Sequence, residues 1–254
     1  MEWAELFSET RTVAFLLLFI RFTALFMAVP IFSHTTIPVS VKAAMAFFFS
    51  VVFFGAVPPL GIPMDALSLT VAVLGEMLFG LAVGTVLQLA YHAVTFAGGQ
   101  ISFMMGFSLA SAIDPQSGVS MPIVSQFLAL LALMALLALD MHHWILLYAS
   151  ASIESVPLGG FMMTPSLFQY IIHAAMNMFV VGFMIAFPIT ALSMLADVIF
   201  GMLMKTMPQF NLLVIGMPIK IAVAFVVLMV TLGSTLLIVT AQTENAYNVL
   251  EKLF

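Results

Sequence analysis

Long apolar runs, broken by short clusters of glycine, proline and charged residues, set the pattern of this chain. A helix needs about 20 predominantly apolar residues to cross a hydrocarbon core of about 30 Å. Six stretches qualify: Thr12 to Phe32, interrupted by Arg21; Ala43 to Val57; Ala66 to Ala97; Phe127 to Ile153, which contains Asp140, His142 and His143; Leu167 to Met204; and Leu212 to Thr240. The fifth is too long for one untilted span and carries Pro188, which removes a backbone donor, so it reads either as one bent helix or as a hairpin. Six or seven apolar helices result. The connections are Ser33 to Lys42, Pro58 to Asp65, Gly98 to Gln126, Glu154 to Ser166 and Lys205 to Asn211. With no internal repeat, low-complexity tract or second soluble domain, residues 1–254 read as a single all-α, polytopic helical membrane domain.

Composition narrows the function. Of 254 residues, 64% are hydrophobic and 7% charged, far outside the range of soluble domains, which excludes a soluble enzyme. Six Lys and Arg against eleven Asp and Glu leave a net charge of -5 and no basic stripe, so nucleic acid is not an expected partner. The absence of cysteine excludes disulfides, thiolate nucleophiles and thiolate metal sites. Glu2, Glu5 and Glu9 precede the first apolar run where a secretory signal needs basic residues, so the N-terminus is expected to be retained. In a six-span arrangement Lys42 and Lys205 fall in alternate loops from Asp65 and Glu154, which puts the N-terminus outside; splitting the fifth stretch would move the C-terminus across.

The polar residues carry the rest. Gly98 to Gln126 is too apolar for a freely solvated loop and too rich in Gly, Ser and Pro for a helix, and it reads either as a loop packed in a cavity or as a surface loop. Asp140 and His143 share a helical face at i, i+3, which fits a proton relay; the same cluster fits an interfacial helix end with Trp144 and Tyr148 as an aromatic belt. Arg21, Glu76 and Asp197, isolated in apolar segments, are expected to form interhelical pairs. Gly75, Gly80 and Gly84 are spaced for close helix approach. Abundant Met suits either a deformable seal or lipid-facing positions. No zinc-protease, serine-elbow or phosphate-loop pattern is present, and adjacent His142 and His143 project about 100° apart on a helix, a poor chelate. No catalytic residue, metal or cofactor is therefore expected.

Pro208-Gln209-Phe210-Asn211, followed by Ile215-Gly216-Met217-Pro218-Ile219-Lys220, resembles the Pro-Gln-x-Asn and Gly-x-Pro signature of the FliR family, called SctT in injectisomes. Gly99-Gln100, Asp114-Pro115 with Met121-Pro122, Glu76 with Gly80 and Gly84, and Arg21 to Pro30 with Pro38 and Lys42 fit the same family in order along essentially the whole chain. The family often has Asn-Gly-His where this chain has Asp140-Met141-His142. The resemblance implies an export-gate subunit of the flagellar type III secretion system in the bacterial inner membrane at the flagellar basal body. It further implies kinked hairpin helices, with about 1–204 FliP-like and 205–254 FliQ-like, in a helical hetero-oligomer partly above the membrane plane. The implied partners are FliP-like and FliQ-like subunits, an FlhB-like switch protein, membrane lipid and unfolded export substrates. It places a channel-closing loop at Gly106, Phe107, Ser108, Leu109, Ile113, Asp114, Pro115, Gly118 and Pro122. Packing or gating roles are expected at Arg21, Glu76, Asp140, His143, Asp197, Pro208, Gln209, Asn211, Gly216 and Pro218. The competing reading is a proton-coupled transporter using Asp140, His143 and Asp197.

Overall fold

A computed structural model describes residues 8–34, 36–107, 122–207, 209 and 211–253; these are helical with short connections and contain no strand. Helix α1 is Glu9–Ala28, with Glu9 favourably placed in its first turn. Extended Val29 breaks the run, and the short α2, Pro30–Ser33, follows with proline at its first position, where no donor is lost. Helix α3, Val39–Phe53, continues into a 3-10 turn, Phe54–Ala56. Helix α4 is Ala66–Met104; the Asp65 carboxylate accepts from Ser68 N at 3.1 Å and caps it. Helices α5, Ile123–Ala138, and α6, Met141–Ser155, meet at Asp140. Helix α7 is Pro165–Thr206, and α8, Met217–Leu253, follows a π-helical turn, Leu212–Gly216.

Five of these helical stretches are long and apolar enough to cross a membrane, or six if α5 and α6 form one bent span, so the six apolar stretches of the sequence each have a counterpart. Three local expectations change. The fifth stretch is one unbroken helix with Pro188 inside it, not a hairpin. Helix α4 runs on through Gly98 and Gly99 to Met104 and α5 starts at Ile123, which shortens the long connection at both ends. Lys42 lies in α3 and is buried; its Nζ donates to the Ser33 carbonyl at 3.0 Å, near the end of α2. It is thus no loop charge, and Lys205 too is helical, in the last turn of α7, so neither lysine of the orientation argument stands in a loop.

The chain divides into two compact units, each built from separate segments. The first is Met1–Leu89, Leu136–Ala174 and Thr243–Phe254. Its core is the inner face of α1, where Leu17, Leu18, Phe22, Leu25 and Phe26 are at most 1% exposed. Phe22 and Phe26, and on α3 Phe49 and Phe53, repeat at i, i+4 and mesh, with Phe26 and Phe49 centroids 5.5 Å apart. Helix α4 closes on α1 through glycine: a Cβ on Gly80 would lie 2.7 Å from Leu25 N, and one on Gly84 would strike Ala28. Since lipid is as apolar as leucine, such dispersion contacts, rather than expulsion from water, hold membrane helices together.

The second unit is Ala90–Ala135 and Ala175–Gln242. The same device recurs there. A Cβ on Gly98 would lie 2.9 Å from Ser125 N, and Ser125 Oγ donates to the Thr95 carbonyl at 2.7 Å. A Cβ on Gly182 would come 2.7 Å from the Ala93 carbonyl, and beside it Phe96 and Phe179 pack edge to face at 5.2 Å. The outer faces of this unit are apolar, with Phe183, Phe187, Met194, Val198 and Met202 exposed.

Candidate functional site: two ion pairs and the ends of a loop

In the first unit, the residues expected to form interhelical pairs do so. Arg21 and Glu76 lie on apolar helices, 55 positions apart in sequence, and both are fully buried. The Arg21 Nε donates to Glu76 Oε2, and a second guanidinium nitrogen donates to Oε1 at 3.0 Å, giving a two-pronged pair. The remaining donors reach the carbonyls of Ser152 and Val156, each at 2.9 Å. These two carbonyls lie at the C-terminal end of α6, where the helix dipole is negative and favours a cation; the Ser152 carbonyl also accepts from Val156 N at 3.0 Å. The guanidinium also sits 4.6 Å above the Phe79 ring. Glu76 Oε1 in turn accepts from Gly159 N at 2.7 Å. Gly159 has φ +76 and a Cβ would meet Ala72 at 3.0 Å, so glycine is required on both counts. One ion pair thereby fastens α1, α4, the end of α6 and the turn after it.

In the second unit, Asp197 on α7 pairs with Lys220 on α8, whose Nζ lies 2.7 and 2.8 Å from the two carboxylate oxygens. Lys220 is buried but the Asp197 side chain is 56% exposed. The pair borders an apolar groove lined by Leu192, Leu195, Ile199, Ile219 and Val223. The turn leading into α8 is built by the signature residues. Asn211 Oδ1 accepts from Leu213 N and Val214 N at 3.0 and 3.2 Å. Gly216 is buried where a Cβ would come 2.7 Å from Leu212 Cδ1. Gln209 and Pro218 are exposed, and Pro208 lies outside the described residues.

Of the expected channel-closing loop, Gly106, Phe107 and Pro122 are described; Ser108, Leu109, Ile113, Asp114, Pro115 and Gly118 lie outside the described residues. The chain leaves α4 through buried Met105 and then Gly106, whose φ of +85 favours glycine and which lies against the Met217 side chain. The first stretch of loop is thus set against the start of α8 within this unit.

Asp140 has φ 56, left-handed for a residue with a side chain. Its carboxylate lies 3.3 Å from His143 Nδ1, as the i, i+3 spacing implied, and both side chains are more than 60% exposed. Trp144 packs on Tyr247 at 5.1 Å. Asp140 and His143 thus meet within the first unit, while Asp197, in the second unit, is engaged by Lys220.

Several partners escaped the sequence reading. Lys220 stood in a quoted motif without being matched to Asp197, although both lie in neighbouring apolar stretches. Ser152, Val156 and Gly159 contribute through their backbones, which no side-chain pattern announces.

Residues 12–246 match the family described as bacterial export proteins, family 1. Among similar proteins is the flagellar biosynthetic protein FliR of Bacillus subtilis (strain 168), 36% identical over 230 residues, covering 89% of this chain and 88% of that protein. FliR of Escherichia coli (strain K12) is 29% identical, covering 80% and 78%. FliR of Aquifex aeolicus (strain VF5) is 23% identical, covering 96% and 95%. A family match running from α1 into α8, with a relative above one-third identity over nearly full length, makes this chain a member of the FliR family of bacterial export proteins.

Proposed function

We propose that this chain is a subunit of the type III protein export gate at the base of the bacterial flagellum, forming and closing the channel entrance for unfolded export substrates. The observation that carries the reading is the full-length family match to proteins named for flagellar biosynthesis. The chain works in the inner membrane at the flagellar basal body, joined to FliP-like and FliQ-like subunits and an FlhB-like switch protein, and its role is structural rather than enzymatic. The buried Arg21–Glu76 clasp supports a rigid scaffold. The half-exposed Asp197 and the apolar groove beside it suit a surface covered by neighbouring chains, because a charge facing lipid is unfavourable by several kcal/mol.

The loop from Gly106 to Pro122 closes the channel. Its small residues let it pack in a narrow lumen, Phe107, Leu109 and Ile113 exclude water, and Gly106, Pro115 and Gly118 define its bends. An entering substrate displaces it by an order-to-disorder or hinge movement.

Native mass spectrometry of the full chain, co-expressed with FliP-like and FliQ-like chains, tests the assembly. A defined hetero-complex with one copy of this chain supports it; a stable monomer or homo-oligomer that ignores those chains overturns it. Deleting residues 106–122 should raise ion leakage through the assembled gate, and unchanged leakage with normal assembly would sink the loop assignment.

A further inference from the structure

We infer that the turn at Asp140 is a binding site for one divalent transition-metal ion, held by Asp140, His142 and His143. Each of the three offers a ligand atom, and these atoms lie within 4.8 Å of one another; no other such group of three occurs among the described residues. Tetrahedral ligands bound at about 2.0–2.2 Å stand roughly 3.5 Å apart. The Asp140 Oδ1 to His143 Nδ1 separation is already 3.3 Å, and the two imidazole rings are centred 4.1 Å apart. Adjacent helical residues diverge by about 100°, yet the two imidazole rings fold back toward each other, inclined by 36°. Left-handed Asp140 stands two positions before His142, across Met141, with its carboxylate at the second imidazole.

A second observation points to a ligand. The Nδ1 of His142 is shielded from solvent and has no hydrogen-bond partner among the described residues, an arrangement a metal bond or a water would resolve. Two imidazoles with one carboxylate favour zinc, cobalt, nickel or copper over magnesium or calcium, which prefer all-oxygen shells. Asp140 and His143 are exposed enough for an ion to reach them, and water would fill the open positions. Bound metal would pin the turn between α5 and α6.

The test is titration of the full-length, tag-free chain in detergent with Co2+, read by its visible absorption, and with Zn2+, read by calorimetry. Saturable binding of one ion per chain is expected, weakened at least tenfold by Asp140→Asn, His142→Ala or His143→Ala and unchanged by His34→Ala or His173→Ala. A Trp3→Phe chain supplies a readout that needs no site variant: Trp144, next to the site, should be quenched by Cu2+ with the same stoichiometry. Absence of saturable binding, binding that survives replacement of all three ligands, or binding lost with His34 or His173 instead would overturn the proposal.

Discussion

In the first unit a guanidinium and a carboxylate are sealed from every side; in the second an ammonium meets a carboxylate that is left half open. Both pairs join apolar helices, yet they answer different needs. Arg21 and Glu76 satisfy each other and three further backbone groups, so nothing outside the chain is required to complete them. Asp197 has both oxygens on one lysine and keeps an accessible surface that a neighbour can still approach. Removing half of a sealed pair strands a buried charge, whereas loosening an open one lets solvent or a neighbour take over.

The largest expected effect is therefore at Glu76. Glu76→Ala should destabilise the chain by about 3–5 kcal/mol, because it leaves Arg21 charged without its carboxylate. Replacing both residues with methionine should cost clearly less, and equal losses, followed by thermal unfolding in detergent, would break the contrast. Next comes Gly80→Val, which forces α4 away from Leu25 and should cost about 1–3 kcal/mol by the same assay. Asp197→Asn comes third, at no more than about 1 kcal/mol, since its partner is reached through an exposed carboxylate. A loss as large as that at Glu76 would show that exposure does not separate the two pairs.

The smallest effect lies at the start of α4. Hydrogen bonds from the Ser68 side chain and then its backbone N–H hold the exposed Asp65 carboxyl below its usual value of 3.8. A folded-state pKa lowered in this way adds stability that is present above the unfolded value and is lost as pH falls through the folded one. Ser68→Ala should raise that pKa, seen by carboxyl NMR titration, and should speed amide exchange in the first turn of α4 above about pH 4, the difference from the parent chain vanishing as pH falls through the folded-state value.

Much of this was readable in the residues because membrane helices announce themselves by run length. Gly80 and Gly84 were read as close-approach positions, and both sit where a Cβ has no room. Local punctuation misled more often. Gly98 and Gly99 looked like the start of a loop, but glycine also marks where another backbone comes close, and at Gly98 Ser125 occupies that space. Pro188 looked like a possible break, but a long apolar helix absorbs one missing donor where neighbouring turns compensate. Lys42 looked like a loop charge because its carbonyl partner at Ser33 belongs to a different short helix. The pairing of Arg21 with Glu76 could be expected in kind, but its partners at Ser152, Val156 and Gly159 depend on tertiary approach across more than 80 positions.

The unbroken run of α7 carries a consequence in simple lengths. Its 42 residues measure about 63 Å along the axis, and the 39 of α4 and 37 of α8 measure about 58 and 55 Å. A bilayer offers about 30 Å of hydrocarbon, or about 39 Å along a helix tilted by 40°. Each long helix thus outruns the oil by at least about 16 Å; in α8 the excess is the polar end from Gln242, but in α4 and α7 the sequence stays apolar over Ala66 to Ala97 and Leu167 to Met204. That surplus greasy length has no place in water, so it sets a demand for protein company that lipid alone cannot meet.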